Sequence, residues 1–458
     1  MICTAADMRR FAWQLLALIS LTGFRASAPA ETRPRYGGTA TVEIHEAITL
    51  TDPGEWPPAL VPLVYDRLVR LDEHGQPTPA LAVSWQHDPE NRRWEFLLRT
   101  GVKFHDGSPL NAAAVAASLK LGANATISGE GANVVVRQET PAPDLPSILA
   151  DARFAILRRG ADGVTSGTGP YRITEWQGGR HAVLTANEDY WGGRPFLDAI
   201  ELRMFRAYRD QAVDLELAKA DVVELSIEDA RRAAQRGLRT WTSAPSELIA
   251  LVFERGRAPA ENISFRQAVA LSVDRAAIHD VLVQKQGEAS GALLPQWVTG
   301  YAFLFPTARD LERAQQIAAT VPKPGLRAAL SYDPADALSR AIAERIAVDA
   351  REAGILIQVT PGGQADMRIF RVPLRSLDPA QGLADLAAAF HIGELLEPSV
   401  VTAEARYQIE RKVSNDFRVI PLCHLPEILG VGSRVRNWQP HRWGDWRLDE
   451  IWLEPRTP

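Results

Sequence analysis

Residues 336–359 read DALSRAIAERIAVDAREAGILIQV and combine three structural signals in one run. Asp336 is a residue type that caps helix N-termini, and the alanine-rich run to Ala353 predicts a helix. Gly354 is typical of a helix end, and Ile355–Val359 is rich in β-branched residues, which predicts a strand. A helix that ends at glycine and leads directly into such a strand is typical of an α/β crossover unit.

Helices and strands also alternate along the rest of the chain after residue 36. Hydrophobic periodicity, glycine pairs and capping residues place the individual elements. The predicted strands are Thr39–Ile44, Trp94–Leu98, Ala199–Phe205 and a hairpin of Tyr171–Trp176 with His181–Thr185. The predicted helices are Ala59–Leu71, one capped by Asn111, Asp210–Ala220 and one that begins at a Ser264/Gln267 capping box, with a loop at Gly122–Gly131. This alternation predicts an α/β fold.

Composition excludes several classes of protein. The chain has 458 residues, of which 46% are hydrophobic and 23% charged, which is typical of a globular protein of two or three domains. The 51 basic and 56 acidic residues give a formal net charge of −5. Since no sustained basic run occurs, we expect no nucleic-acid partner.

The N-terminus has the pattern of a secretory signal peptide. Arg9 and Arg10 precede the apolar stretch Phe11–Phe24, and Ala28-Pro29-Ala30 fits the small-residue cleavage pattern. The apolar stretch is too short for a convincing membrane anchor. We therefore predict a signal peptide at residues 1–30 and export to the periplasm.

A search for catalytic or metal-binding residues finds no convincing set. The nine histidines include no pair four residues apart on one helix, and Gly167-Thr168-Gly169 runs into Pro170 instead of a phosphate-binding pattern. Cys423 is the sole cysteine after residue 30 and lies in an apolar run, so we interpret it as a small buried residue. We expect a protein that is not an enzyme and that holds no metal and no cofactor.

A series of motifs in fixed order resembles one protein family. The motifs are Gly37–Thr39, Leu50–Pro53, Val64–Val69, Pro79–Trp85, Trp94–Gly107, Gly167–Tyr171, Asn187–Gly193, Arg266–Ala268 and Val273–Ile278. Together they are similar to the family 5 extracellular solute-binding proteins of ABC importers, which include oligopeptide-, dipeptide- and nickel-binding proteins. The resemblance covers most of residues 37–285 and returns weakly over 305–458. Most of these motif residues are interpreted as structural.

The resemblance implies an α/β, two-lobe periplasmic binding protein of type II (venus-flytrap) with a reduced inserted third domain. Its implied boundaries are 31–50 with 168–243 and 425–458 for lobe I, 51–167 for the inserted domain II, and 244–424 for lobe II. It implies a monomer that captures a peptide-like or other small organic ligand between the lobes. Such proteins deliver the ligand to the membrane permease of an ABC importer.

The sequence departs from the family near Leu377-Asp378-Pro379. Peptide binders carry an aspartate three residues before the Asp-Pro aspartate, where it pairs with the peptide's α-amino group, and here Arg375 takes that position. A cation that faces an ammonium group is repulsive, so we expect that a free α-amine is not recognised. One hypothesis is that Arg371 and Arg375 bind a carboxylate or phosphate. The alternative is that they are solvated arginines in an arginine-rich chain.

Six residues are candidates for the ligand site. Glu46 follows the first strand, where such lobes commonly line the cleft, and Trp56 and Trp297 are candidate apolar walls or packing residues. The full candidate set is Glu46, Trp56, Trp297, Arg371, Arg375 and Asp378. Two other functions stay open: an exported sensor or scaffold that has lost transport, and an exported hydrolase.

Overall fold

The computed structural model describes residues 33–160, 165–393 and 402–455, so the predicted signal peptide lies outside the described residues. Tyr36–Pro458 forms one unit. Residues 1–35 form another, of which 33–35 are described and have no regular structure. Within the described ranges, no helix combines the length and the apolar character that a bilayer span requires.

Most strands of Tyr36–Pro458 belong to one large mixed sheet. In chain order, the strands of all the sheets together are β1 Thr39–Glu43, β2 Val69–Leu71, β3 Pro77–Pro79, β4 Ala82–His87, β5 Arg93–Leu98, β6 Ala125–Glu130, β7 Asn133–Gln138, β8 Arg158–Arg159, β9 Thr165–Ser166, β10 Tyr171–Gln177, β11 His181–Ala186, β12 Ala199–Arg203, β13 Val222–Glu224, β14 Arg239–Phe253, β15 Glu288–Ala289, β16 Arg327–Tyr332, β17 Leu356–Pro361, β18 Met367–Pro373, β19 Val419–Val431, β20 Val435–Arg436 and β21 Trp452–Leu453. The order in the large sheet is β10-β11-β12-β1-β13-β19-β14-β18-β16-β17, with β15 beside β19. A separate antiparallel sheet has the order β4-β5-β7-β6.

Helices cover the sheets. They are α1 Ala112–Ser118, α2 Leu145–Ile148, α3 Tyr208–Glu216, α4 Ile227–Gln235, α5 Ala258–Glu261, α6 Ile263–Ser272, α7 Arg275–Ala277, α8 Gln296–Thr299, α9 Leu311–Ala318, α10 Ala337–Glu352, α11 Pro379–Ala389 and α12 Ala403–Asp416. The predicted crossover unit is confirmed, since Asp336 caps α10 and β17 runs parallel to β16. The cap at Asn111 and the hairpin of β10 and β11 are confirmed as well.

Two long strands join the halves of the large sheet. β14 pairs with β19 at both of its ends, from Arg239↔Val431 to Val252↔Val419. The register shifts between these ends, around Pro245 and Pro426. Proline donates no backbone hydrogen bond, so the ladder is interrupted where the chain passes from one half to the other.

The buried side chains gather in separate clusters, three of which are large. Representative members are Val42, Ile200 and Leu453 in the first, Phe253, Ile346 and Leu422 in the second, and Phe96, Val115 and Val134 in the third. Each cluster draws on a different set of elements. The domain boundaries given above stay a prediction.

Three local predictions are wrong. Ala59–Leu71 is not a helix but a 3₁₀ turn at Val61–Leu63 followed by β2, because Pro62 interrupts the helical hydrogen-bond pattern. Gly122–Gly131 contains β6, which pairs with β7. The helix α6 begins two residues earlier than the Ser264/Gln267 box predicts, because the side chain of Asn262 accepts from the amides of Ser264 and Phe265.

Candidate ligand-binding cleft

The segment that follows β18 reaches across to the other half of the large sheet. The guanidinium of Arg375 donates to the carboxylate of Glu46, and its Nη1 lies 3.5 Å from the carbonyl oxygen of Trp56. Three residues after Arg375, Asp378 Oδ2 accepts a hydrogen bond from Arg153 Nη2 at 2.9 Å. The structure therefore brings Glu46, Arg375 and the backbone of Trp56 together, with Asp378 in the same segment.

Asp378 also forms the N-terminal cap of a helix. Its Oδ1 accepts from the amide of Ala380 at 3.1 Å, so it caps α11. Pro379 at the first helical position suits a helix start because its missing N–H would have no helical partner there. The Leu377–Pro379 motif thus fixes both the helix start and the contact with Arg153.

Arg371 lies further from Arg375 and is held by two carboxylates. Its Nε donates to Glu247 Oε1 at 3.0 Å, its Nη2 to Glu247 Oε2 at 2.5 Å and its Nη1 to Asp336 Oδ2 at 3.1 Å. Burial, the largest single effect, lowers the pKa of Arg371, but the charge of Glu247, its hydrogen bonds and the charge of Asp336 together raise it. Burial, the largest single effect, raises the pKa of Asp336, but the charge of Arg371 and the hydrogen bonds from Arg371 and Ser339 together lower it. Both cations of the anion-binding hypothesis already have carboxylate partners.

The two candidate tryptophans lie in different surroundings. Trp56 is 1% exposed, with its ring stacked on Trp176 at 5.8 Å and edge-on to Tyr65 at 6.1 Å. Trp297 is 36% exposed, and its Nε1 donates to the carbonyl oxygen of Pro245 at 2.7 Å, where β14 changes register. Trp56 therefore packs in the first core here, whereas Trp297 offers ring surface beside the junction of the halves. Their roles toward a ligand stay a prediction.

Sequence reasoning missed two carboxylates near the junction, Glu224 on β13 and Glu427 on β19. Glu224 Oε2 accepts from the amide of His45 at 2.6 Å, and Glu427 Oε2 accepts from Trp446 Nε1 at 2.9 Å. Burial, followed by the charge of Glu427, raises the pKa of Glu224 to about 8. Burial raises the pKa of Glu427 to about 7 despite the hydrogen bond from Trp446. No local pattern marks either residue, because β13 and β19 meet only through the sheet order.

A small cavity of about 80 Å³ remains between the halves. Residues from both sides line it, among them Pro58, Ala152, Leu374, Arg375 and Trp443. Sites for small organic ligands usually measure about 300–1,000 Å³. This cavity alone is therefore smaller than such a site.

The single cysteine of the described residues is a packing residue. Cys423 is buried, as predicted, and burial raises the pKa of its thiol to about 12. Across the described ranges, no group of three or more histidine, cysteine or acidic side chains is arranged to hold a metal ion.

Two sheet halves joined by paired long strands, with a cleft between them, define the class of two-lobe type II binding proteins. The model of the bacterial extracellular solute-binding proteins, family 5 Middle, matches residues 76–372, and the chain belongs to this family.

Relatives of known sequence support this membership. The chain is 27% identical over 341 residues to the nickel-binding periplasmic protein of Escherichia coli, a match that covers 64% of each protein. It is 25% identical over 361 residues to the dipeptide-binding protein of the same organism, covering 65% of this chain and 66% of that one. The chain thus spans a little under two-thirds of the length of the nickel-binding relative.

Solved structures confirm the fold over more of the chain. NikA from Staphylococcus aureus, in complex with Ni(L-His)2, superposes with a TM-score of 0.75 at 19% identity, covering 91% of this chain and 100% of that one. AppA from Bacillus subtilis, in complex with a nonapeptide, gives a TM-score of 0.73 at 17% identity, covering 92% and 100%.

Proposed function

We propose that this protein is an exported solute-binding protein that captures a small ligand between two lobes and delivers it to the permease of an ABC importer. It acts in the periplasm after removal of residues 1–30, as a monomer, and performs no covalent step. Lobe I comprises 31–50, 168–243 and 425–458, the inserted domain comprises 51–167, and lobe II comprises 244–424. The second cluster supports a separate core for lobe II and the third supports one for the inserted domain, whereas the first cluster joins lobe I with Trp56–Tyr65 and Ala152–Ala155 of the inserted segment.

The main observation that supports the proposed function is the contact of Arg375 with Glu46 across the cleft. The two residues are 329 positions apart, and each side chain keeps 37% of its surface exposed. Exposed ion pairs contribute only about 0–1 kcal/mol, so this contact can break and re-form as the lobes open and close. A bridge that joins the lobes weakly is suited to a protein that must admit and release a ligand.

The ligand we propose is peptide-like or another small organic solute. The nickel-binding and dipeptide-binding relatives bind different solutes by name, so membership alone leaves the ligand open. The candidate contacts are Glu46, Trp56, Trp297, Arg371, Arg375 and Asp378. An anionic ligand at Arg375 has to displace Glu46, whereas Arg371 is held more firmly by Glu247 and Asp336.

An exported sensor or scaffold is the second candidate. The observation that favours it is that Arg371 and Arg375 are already paired with carboxylates of the same chain, Glu247 and Glu46. Such a protein would bind a partner without first binding a small ligand. A hydrolase has less support, because the family is one of binding proteins.

Thermal denaturation of residues 31–458 with a panel of compounds tests the proposal. The panel holds free peptides, amine-blocked peptides, dicarboxylates, sugars and Ni²⁺. A compound that binds only the folded state raises the melting temperature by mass action. Small-angle scattering with each stabilising compound then measures whether binding closes the lobes. Arg375→Gln is the test variant, and Arg92→Gln, at an exposed position of the inserted domain, is its matched control.

The outcomes separate the alternatives. Stabilisation by amine-blocked or anionic compounds, lost in Arg375→Gln and kept in Arg92→Gln, supports a ligand bound by arginine. Stabilisation by free peptides would contradict the exclusion of α-amines. No stabilisation across the panel, together with partner binding that needs no small ligand, would replace transport by the sensor or scaffold role.

A further inference from the structure

The two long strands that join the lobes carry glutamates where they pass from one lobe to the other. Glu247 lies on β14 two residues after Pro245, and Glu427 lies on β19 directly after Pro426. Pro245 is opposite Pro426, and the ladder shifts register on both sides of this pair. A bulged ladder position that contains proline has fewer hydrogen bonds to lose on bending, so we take this crossing as the hinge.

Carboxylates of both lobes lie close together at this hinge. Glu224 ends β13, and burial, followed by the charges of Glu427, Glu46 and Glu247, raises its pKa. In the proposed division, Glu224, Glu427 and Glu46 belong to lobe I, whereas Glu247 belongs to lobe II. Closure of the lobes therefore brings like charges together, and opening separates them and exposes them to water.

Cations of lobe II are already used by other carboxylates of this region. Arg371 on β18 pairs with Glu247 and with Asp336, the cap of α10. Arg375 pairs with Glu46. Both guanidinium groups are thus engaged away from Glu224.

Glu224 and Glu427 have no such cation. Neither forms an ion pair with any residue that the structure describes. Their donors are neutral, since the backbone amide of His45 donates to Glu224 and the indole Nε1 of Trp446 donates to Glu427. A buried carboxylate among other carboxylates is less costly when it is protonated, which agrees with pKa values of about 8 for Glu224 and about 7 for Glu427.

The groups that face Glu224 from α3 and from the end of β1 are polar, and they include a histidine. Gln211 on α3 accepts from the amide of Glu224 at 2.8 Å. Tyr208 of the same helix stacks on the ring of His45, with the ring centroids 4.4 Å apart. The Nδ1 of His45 lies 3.0 Å from the carbonyl oxygen of Arg206. A test therefore has to separate titration of His45 from titration of the glutamates.

Glu427 is covered by the segment that follows β20. Burial and then the charge of Glu247 raise the pKa of Glu427, against the hydrogen bond from Trp446. Arg442 of this segment contacts β14 through its carbonyl oxygen, which accepts from the amide of Ala244 at 2.6 Å, while its side chain is exposed. The segment therefore places an indole, rather than a cation, against Glu427.

We propose that this junction is a pH-sensitive hinge, in which closure of the lobes takes up protons at Glu224 and Glu427 and loss of those protons favours the open form. The inference rests on the proposed capture by lobe movement and adds a means of regulating it. Because the closed form binds these protons more tightly than the open form, closure weakens as the pH rises. The affinity of a ligand that requires closure then falls by up to about tenfold per pH unit for each proton taken up.

Small-angle scattering of residues 31–458 without ligand, between pH 6.5 and 8.5 at constant ionic strength, tests the inference. We expect the radius of gyration to rise with the pH, with a midpoint between about 7 and about 8. Far-UV circular dichroism at each pH distinguishes opening of the lobes from unfolding.

The test variants are Glu224→Gln and Glu427→Gln, singly and together. A glutamine oxygen still accepts from the His45 amide or from Trp446 Nε1, so each variant removes the charge and keeps the hydrogen bond. The double variant should hold the compact radius across the whole pH range, and each single variant should reduce the rise. The single variants keep the test valid if the double variant fails to fold.

Glu410→Gln is the matched control. Burial raises the pKa of Glu410 to about 7, as it does for Glu427. The partners of Glu410 are the amides of Leu293 and Leu294 and the hydroxyl of Tyr301, all within lobe II. Glu410 therefore titrates over the same range away from the hinge, and we expect its variant to open with the wild-type pH profile.

Three results would overturn the inference. A wild-type radius that does not change with pH would show that the lobes do not respond to these protons. An unchanged rise in the double variant would assign the titration to another group, such as His45. Loss of the rise in Glu410→Gln as well would show that any buried acid has the same effect.

The panel of compounds given above separates this inference from the proposed function. Closure by a stabilising compound, with a radius that does not depend on pH, would refute the hinge and leave capture between the lobes in place. A pH-dependent radius that the double variant abolishes, without closure by any compound, would support the hinge and count against capture.

Discussion

Trp191 Nε1 donates a hydrogen bond to Asp66 Oδ2 at 2.8 Å, although the two residues are 125 positions apart. The same carboxylate accepts from Thr168 Oγ1 at 2.9 Å and from the Tyr190 hydroxyl at 3.2 Å. These residues come from three of the motifs that carry the family resemblance. These three motifs are therefore joined by one buried carboxylate, which supports a structural role for these four residues.

Replacement of Asp66 by alanine tests how much the hydrogen bonds to its carboxylate contribute to stability. One buried donor, Thr168, and two partly buried donors, Tyr190 and Trp191, would lose their acceptor. Since each unsatisfied buried group costs about 1–3 kcal/mol, we expect the free energy of unfolding to fall by about 3 kcal/mol. Urea denaturation followed by tryptophan fluorescence measures the change. Asp144→Ala, at an exposed position, should stay within about 0.5 kcal/mol of the wild type. Equal stability of the two variants would show that the hydrogen bonds to Asp66 contribute little to the free energy of unfolding.

Gly167 is predicted to tolerate no side chain. An added Cβ would lie 1.9 Å from the carbonyl oxygen of Val64, so the backbone would have to move. We expect Gly167→Ala to cost about 3 kcal/mol or more, the upper range for overpacking. Gly122→Ala is the matched control, because a Cβ there meets no atom within 4 Å. A folded Gly167→Ala protein with wild-type thermal stability would contradict the close approach of these backbones.

Stability should fall as the pH rises from about 7 to 8.5. Burial raises the pKa of Glu224 to about 8 and that of Glu427 and Glu410 to about 7, all above the ordinary glutamate value. The folded state then binds more protons than the unfolded state, so unfolding becomes easier as these protons are lost. Buried His424, whose pKa is lowered to about 4, acts in the opposite direction only below about pH 6.5.

Denaturant titrations at pH 7, 7.75 and 8.5 measure this slope. Glu224→Gln removes the group that titrates at the highest pH, so its stability should vary less over the same range. Glu90→Gln, an exposed position, is the control and should keep the wild-type slope. A slope of zero or of positive sign in the wild type would contradict the burial of these acids.

The bridge between Arg375 and Glu46 should affect opening more than folding. Because both side chains are partly exposed, a double-mutant cycle of Glu46→Gln and Arg375→Gln should give a coupling of about 1 kcal/mol or less. We expect melting temperatures close to the wild type but a larger radius of gyration in small-angle scattering without ligand. Unchanged scattering in both variants would mean that other contacts hold the lobes, such as the pair of Arg153 with Asp378.

Local sequence patterns predicted the helices and strands but not the contacts between them. The strand at Thr39–Glu43 and the crossover at Asp336 follow from periodicity and capping alone. The pairing of Arg375 with Glu46 depends on how the large sheet assembles, and no window of sequence contains both. A local prediction also failed at Pro62, where the apolar periodicity predicted a helix that the proline prevents. Hydrophobic periodicity shows which face of a helix or strand is buried. The candidate ligand site depends instead on which elements pack against one another.

The first core has a consequence for the timing of synthesis. Val42 in the first strand and Leu453 in the last belong to the same buried cluster, so this core lacks part of its packing until the end of the chain is made. At about 5–20 residues per second, some 400 residues take on the order of 20–80 s to translate. Within that interval β1 gains both of its strand neighbours, β12 and β13, but the first core stays incomplete until Leu453 is made. A nascent chain built in this way stays available to chaperones for as long as its last strand is missing.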